Sequence, residues 1–359
     1  MSVQTADAPA ASTAQARARR DSLTAMLPTR WLRTAGLLAA VFALVGCVAA
    51  SLAIGALSIP LSEVIEAFTA FDDSDAHVIV TELRVPRTEI GLLVGAALGA
   101  AGALMQGVTR NPLAEPGILG INAGAAFAVV LAIFLLGVSS VAAYAWFALF
   151  GAGVTAVLVY VLGASGRDGA TPIKLALAGA VLAALLVSLT SAVLVFDTQT
   201  LDEFRFWIVG SIAGRDAGVA LSVLPFIAAG LVISLLAGRW LNALAMGDDV
   251  ARSLGQRVAL ARLAAGVGFV LLAGGAVAAA GPNAFVGLTV PHVARALVGA
   301  DYRWIVPYSI VLGAILLLAS DVIGRVVVCP GELEVGVVTA VIGAPFFIWL
   351  VRRRSLAEL

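Results

Sequence analysis

Ten predominantly apolar stretches of about 20 residues follow one another along the 359-residue chain, and this succession restricts the fold more than any single motif does. They lie at 35–57, 88–108, 117–137, 141–163, 174–196, 217–237, 259–280, 284–299, 304–328 and 335–351. In hydrocarbon every backbone N–H and C=O must be paired within a helix or a closed barrel. A barrel would show short alternating strands, so these stretches predict helices. Composition agrees, since 61% apolar residues, 12% charged residues and a mean hydropathy of +1.04 exclude an ordinary soluble domain. The expected fold is all-α: a polytopic membrane protein of about ten transmembrane helices. Residues 35–352 form that domain, between a disordered cytoplasmic tail (1–34) and a short C-terminal tail (353–359). The eighth stretch is short and holds Pro291 and His292, so the count can shift by one.

The first thirty residues are rich in Ala, Ser and Thr and carry Arg17, Arg19, Arg20 and Arg30, without apolar periodicity. A cleaved signal peptide fits poorly, because the apolar stretch that follows is long enough to span a bilayer. "LVGC" at 44–47 resembles a lipoprotein processing box, but apolar sequence continues to Leu57. Cys47 and Cys329 are read as structural, with no disulfide and no metal-ligand spacing.

The 22 basic and 22 acidic residues cancel, so the informative quantity is which loops carry them. With the N-terminus inside, Arg110, Arg167, Lys174, Arg239, Arg252, Arg257, Arg262, Arg295, Arg303 and Arg352 to Arg354 fall on the cytoplasmic side. Arg84, Arg87, Arg205, Arg215 and Arg325 fall outside, among an excess of acids that includes Asp72, Asp73, Glu332 and Glu334. Both termini are expected in the cytoplasm, and nothing supports a nucleic-acid partner.

Laying the segment from Arg84 over that from Arg257 pairs Val85/Val258, Gly95/Gly268, Leu98/Leu271, Gly102/Gly275 and Ala103/Ala276 without a gap. Each copy then runs into a break containing Pro and Asn. Five spans separate the copies, which predicts an inverted internal repeat. Gly91, Gly95, Gly99 and Gly102 put small residues on one helix face, where a neighbouring backbone can approach. In the first break, "RNPLAEPG", Asn111 suits a cap, Glu115 the positive end of the next helix and Pro116 its first position, with Pro112 and Gly117 making the turns. A direct contact with substrate is the other reading of this break. His292, in the second break, follows no ligand spacing, and a hydrogen-bonded packing role is expected for it rather than metal binding.

In order along the chain stand "LRVPRT" at 83–88, "RNPLAEPGILG" at 110–120, "AMGDDVARSLGQRV" at 245–258, "FVGLTVPHVAR" at 285–295 and "GELEVGVVTAVIGAPFFIWL" at 331–350. Together these motifs resemble the permease subunits of ATP-driven importers for iron-siderophores, haem and cobalamin, the FecCD family. The resemblance implies a homodimer, or a heterodimer with a sister permease, in the bacterial cytoplasmic membrane. It also implies two ATP-binding subunits inside and a substrate-binding protein outside. No GxxxxGK[ST] loop exists and Lys174 is the only lysine, so ATP and Mg are expected on a partner, with no cofactor and no enzymatic activity on this chain. By the same resemblance Asp248, Asp249, Ala251, Arg252, Leu254 and Gly255 form the coupling helix. Thr171, Pro172 and Ile173 form a cytoplasmic gate. Arg84, Arg87 and Arg325 are exposed arginines that accept glutamates of the binding protein, with local pairing to Glu82, Glu89 or Asp321 as the alternative.

An ion-coupled carrier would want membrane-embedded carboxylates, and Asp321 is the main one. A membrane enzyme would want clustered His, Asp or Cys, which are missing. Within the family, a ferric siderophore is the expected cargo, with cobalamin or haem as the alternative.

Overall fold

A computed structural model describes residues 29–165, 172–328 and 331–353. Among these no strand occurs, and the helices are α1 (Arg30–Ala53), α2 (Leu61–Thr69), α3 (Asp75–Thr109), α4 (Ile121–Leu136), α5 (Val141–Ala164), α6 (Pro172–Phe196), α7 (Thr198–Ile208), α8 (Ala217–Ala245), α9 (Asp248–Ser253), α10 (Val258–Ala280), α11 (Val286–Val298), α12 (Tyr302–Val327) and α13 (Val335–Arg353). Seven are long and apolar enough to cross a membrane, and three shorter apolar helices, α4, α11 and most of α13, complete the set of predicted stretches.

The ends differ from expectation for local reasons. α1 begins five residues before its apolar stretch because Thr29 Oγ1 accepts the Leu32 N–H (3.4 Å), so residues 30–34 belong to the helix and not to the tail. α3 runs back to Asp75 through a π-helical segment, Ile79–Arg84. α2 and α7 lie outside the ten apolar stretches and, at 9 and 11 residues, are too short to span. α7 forms because Asp197 caps it, accepting the Thr200 N–H at 3.0 Å. Cys47 lies half-buried on α1 as a free thiol, and Cys329 lies outside the described residues.

α3 is the axle of the bundle: 89% of its central apolar window is buried, against 6% for α1 and 11% for α6. Its glycines explain how neighbours come so close. A Cβ on Gly95 would collide with the backbone of Gly313 and Ala314, one on Gly99 with the Ser309 carbonyl, and one on Gly102 with Gly287. Without side chains there, the backbones of α12 and α11 seat directly on α3, the contact that substitutes for hydrophobic drive in lipid. Leu38 and Phe42 on α1, and Leu177, Val181 and Leu185 on α6, remain exposed on the single chain, as suits surfaces facing lipid or another subunit.

The helix partners repeat. α3 packs on α12 as α10 packs on α5, and α3 on α11 as α10 on α4. α4 meets α5 as α11 meets α12, α4 meets α6 as α11 meets α13, and α1 meets α12 as α8 meets α5. Exchange of the first five membrane helices for the last five therefore preserves these five pairs of contacts, as an inverted repeat would, whereas the packing of α8 on α3 and on α12 has no comparable counterpart from α1 on α10 or α5. The paired glycines do not follow it: Gly95 and Gly102 face α12 and α11, whereas Gly268 and Gly275 face Ile233 and Ile227 of α8. α8 and α12 are joined at one end by Asn242, which donates to Asp301 (2.7 Å) and accepts from the Tyr302 N–H (2.8 Å). Burial pushes the Asp301 carboxyl up, but bonds from Arg303 and Asn242 outweigh it and hold it at about 2.

Candidate functional site

At the end of the bundle that carries α2, the last turn of α1 holds no basic residue of its own to meet its orphan carbonyls. Arginines from two other helices do so. Arg84, on α3, donates to the carbonyls of Leu52 (2.7 Å) and Leu57, and Arg325, on α12, donates to those of Ser51 (2.7 Å) and Ile54 (3.2 Å). Arg325 also bonds Asp321, and the same carboxylate takes Arg87 Nε at 3.0 Å and Nη2 at 2.7 Å. Arg87 reaches Glu332 with its remaining arm, at 2.7 Å. Three cations thus face two carboxylates, and the excess positive charge lies against the negative end of α1.

This corrects the expectation of exposed arginines. Arg84 is 6% and Arg325 2% exposed, and only the Arg87–Glu332 edge reaches the surface. The local pairing Arg325–Asp321 does form, while Arg84 bonds α1 and Arg87 bonds across the bundle.

The two breaks meet inside the bundle. Asn111 Oδ1 accepts the Leu113 N–H (2.9 Å), so it caps the turn after α3 and not the next helix. A short 3-10 helix, Pro116–Leu119, follows and leads into α4, with Pro116 in its first turn. Glu115 makes no cap bond to that helix. It reaches across instead, and its Oε1 accepts the N–H of Phe285 at 2.7 Å. Phe285 precedes α11 with φ of 67°, in the left-handed region where a bulky residue is strained. A single carboxylate therefore holds the N-terminal ends of helices from both halves. Glu115→Ala should leave the Phe285 N–H unpaired and lower stability by about 1–3 kcal/mol. Glu115→Gln, which keeps an acceptor, should recover much of it, as read by thermal unfolding of the purified chain. Equal midpoints for wild type and Glu115→Ala would remove this role. In the second break, Pro291 and His292 are buried within α11, and among the described residues no group of three His, Cys, Asp or Glu side chains is placed to hold a metal.

At the opposite end, α9 starts at the Asp248–Asp249 couplet and stops at Gly255, whose φ is 79°. The Gly255 N–H bonds the Arg252 carbonyl (2.9 Å) and the Gln256 N–H that of Ala251 (3.0 Å), the paired bonds of a Schellman stop. Asp248 is tied to Arg262 of α10 (2.9 Å) and to Arg110 at the end of α3. Ala251 is fully buried against the bundle, so it is the seat of α9 and not part of its free face, a correction to its reading as a contact. The exposed residues are Asp249, Val250, Arg252, Ser253, Leu254 and Gly255, of which Val250 and Ser253 are additional to the expected contacts. Of the gate residues, Thr171 lies outside the described residues, Pro172 opens α6, and Ile173 is exposed.

Comparison with known proteins gives the chain's family. A family model described as the FecCD transport family matches residues 42–353. The ferric enterobactin transport system permease protein FepD of Escherichia coli is 47% identical over 91% of this chain and 97% of its own. The iron(3+)-hydroxamate import system permease protein FhuB of Bacillus subtilis is 43% identical over 84% of this chain and 79% of its own. A solved structure of a metal-chelate type ABC transporter in an inward-facing conformation superposes with a TM-score of 0.77 at 30% identity, covering 89% of this chain and 99% of that one. With a family match over nearly its whole length, and with such relatives and the bundle described above, this multi-pass membrane chain belongs to the FecCD family of transport permeases.

Proposed function

We propose that the chain is the transmembrane permease of an ATP-driven importer that carries ferric siderophores across the bacterial cytoplasmic membrane, with both termini in the cytoplasm. It works as a homodimer or beside a sister permease. Two further polypeptides hydrolyse ATP with Mg, and this chain binds no cofactor. The observation that carries the reading is α9, a short helix stopped on both sides by glycines, anchored by Asp248 to α3 and α10, and presenting Val250 and Leu254 outward at the arginine-rich end. Such a helix fits a cleft in an ATP-binding subunit. At the other end the Arg87–Glu332 edge is the contact proposed for the binding protein, with Arg84 and Arg325 supporting it from behind. Thr171, Pro172 and Ile173 are proposed to form the gate from both subunits.

The iron cargo rests on what the relatives' names say they transport, ferric enterobactin and iron-hydroxamates. Expressed with an ATP-binding subunit and a substrate-binding protein of a ferric-siderophore importer, in cells lacking their own permeases, the chain should support saturable, energy-dependent uptake of radiolabelled iron from a siderophore. Uptake of labelled cobalamin or haem in place of iron would overturn the cargo while leaving the permease reading intact.

A further inference from the structure

Between α3, α5 and α10, toward the α9 end, lies a cavity of about 880 Å³. Its walls are almost entirely carbon, among them Leu104, Val108, Val157, Leu263 and Phe269. Leu263 and Val267 are exposed, so the slot opens sideways on the surface of the bundle that lipid would cover. From Arg257 at its mouth to Leu271 at its far end it follows α10 for about 20 Å.

The mouth has the opposite character. Arg252, Arg257 and Arg262 line it, with Tyr160 beside them. Asp249 takes Arg252 at 3.1 Å, and Asp248 takes Arg262 at 2.9 Å together with Arg110. Three guanidiniums, those of Arg110, Arg252 and Arg262, therefore share two carboxylates, and a fourth, Arg257, is exposed with no acidic partner among the described residues. Arg257 is also the cap of α10, whose first turn has no side-chain cap and no acid, so the positive end of a 23-residue helix adds to the same mouth. A small polar solute would find no partners along the carbon walls. A neutral apolar one would leave the mouth's charge unanswered.

We propose that this slot binds an anionic phospholipid of the leaflet on the α9 side, its phosphate at Arg257 and the start of α10 and one acyl chain along α10 toward Leu271. Basic pockets between membrane helices commonly recognise lipid headgroups in this way.

The test titrates the purified full-length chain, in a neutral detergent, with phosphatidylglycerol, phosphatidylcholine or inorganic phosphate and follows the thermal unfolding midpoint. Phosphatidylglycerol should raise the midpoint by several degrees, and the other two should not. Arg257→Glu should weaken the apparent affinity for phosphatidylglycerol about tenfold, since each basic residue near an anionic headgroup contributes on the order of 1 kcal/mol. Gly266→Leu places a side chain inside the slot, where a Cβ meets nothing within 4 Å. It should remove the shift while leaving the lipid-free midpoint at or above that of wild type, which separates displacement from misfolding. Equal shifts by the two lipids, or a full phosphatidylglycerol shift in either variant, would overturn the proposal. A shift given by phosphate alone would replace the lipid with a free anion.

Discussion

Asp321→Ala is expected to lower the unfolding midpoint of the permease by well over 5 °C and to cut its accumulation in the membrane severalfold. The Asp321 side chain is 1% exposed and accepts from both Arg87 and Arg325. Removing it strands the Arg325 guanidinium without a carboxylate in a buried pocket and leaves Arg87 only Glu332 at the edge, and breaking a buried pair from one side costs about 3–5 kcal/mol. Asp321→Asn keeps an acceptor and should fall between. The double variant Asp321→Ala with Arg325→Ala should be less damaging than the sum of the single changes, because the charge stranded by one is removed by the other. An Asp321→Ala protein that unfolds like wild type would mean the cluster is solvated and free to face a partner, and the arginines would return to the exposed role expected from sequence.

Leu254→Asp should reduce siderophore-dependent iron uptake at least tenfold while leaving the unfolding midpoint unchanged. Leu254 is 64% exposed at the end of α9, so its loss removes nothing the single chain needs. A carboxylate facing a cleft shaped for leucine would be buried without a partner, a penalty large enough to empty the interface. Ala251→Trp should behave differently. Ala251 is fully buried, and overpacking there costs about 1–3 kcal/mol, so that variant should lose stability and uptake together. Full uptake by Leu254→Asp would move the coupling surface away from α9.

What could be read from the sequence followed periodicity and punctuation. The ten apolar stretches all became helices, and Gly255 stops α9 where a glycine after a basic turn is expected to. Partners were less legible, because a side chain's type does not say which element it meets. Arg84 and Arg325 read as surface cations, since nothing in "LRVPR" reveals that the carbonyl end of α1 lies opposite them. Glu115 immediately precedes a helix whose N–H groups are the obvious partners, yet its partner is Phe285, 170 residues away. Ala251 carries no sign of its burial except its smallness. α7 was missed because its apolar content is modest and its cap, Asp197, passes for one more loop acid.

The length of α3 has a mechanical consequence. At 35 residues it measures about 52 Å, against a hydrocarbon core of about 30 Å, so it is a rod longer than the barrier it crosses. Near one tip it carries Arg84 and Arg87, and at the other Arg110 grips Asp248 of α9. No second element stands between these tips. A push along the rod's axis is shared by both ends at once, while the π-helical segment beside Arg84 is the one place along it where the hydrogen-bond ladder changes step and a twist could be taken up.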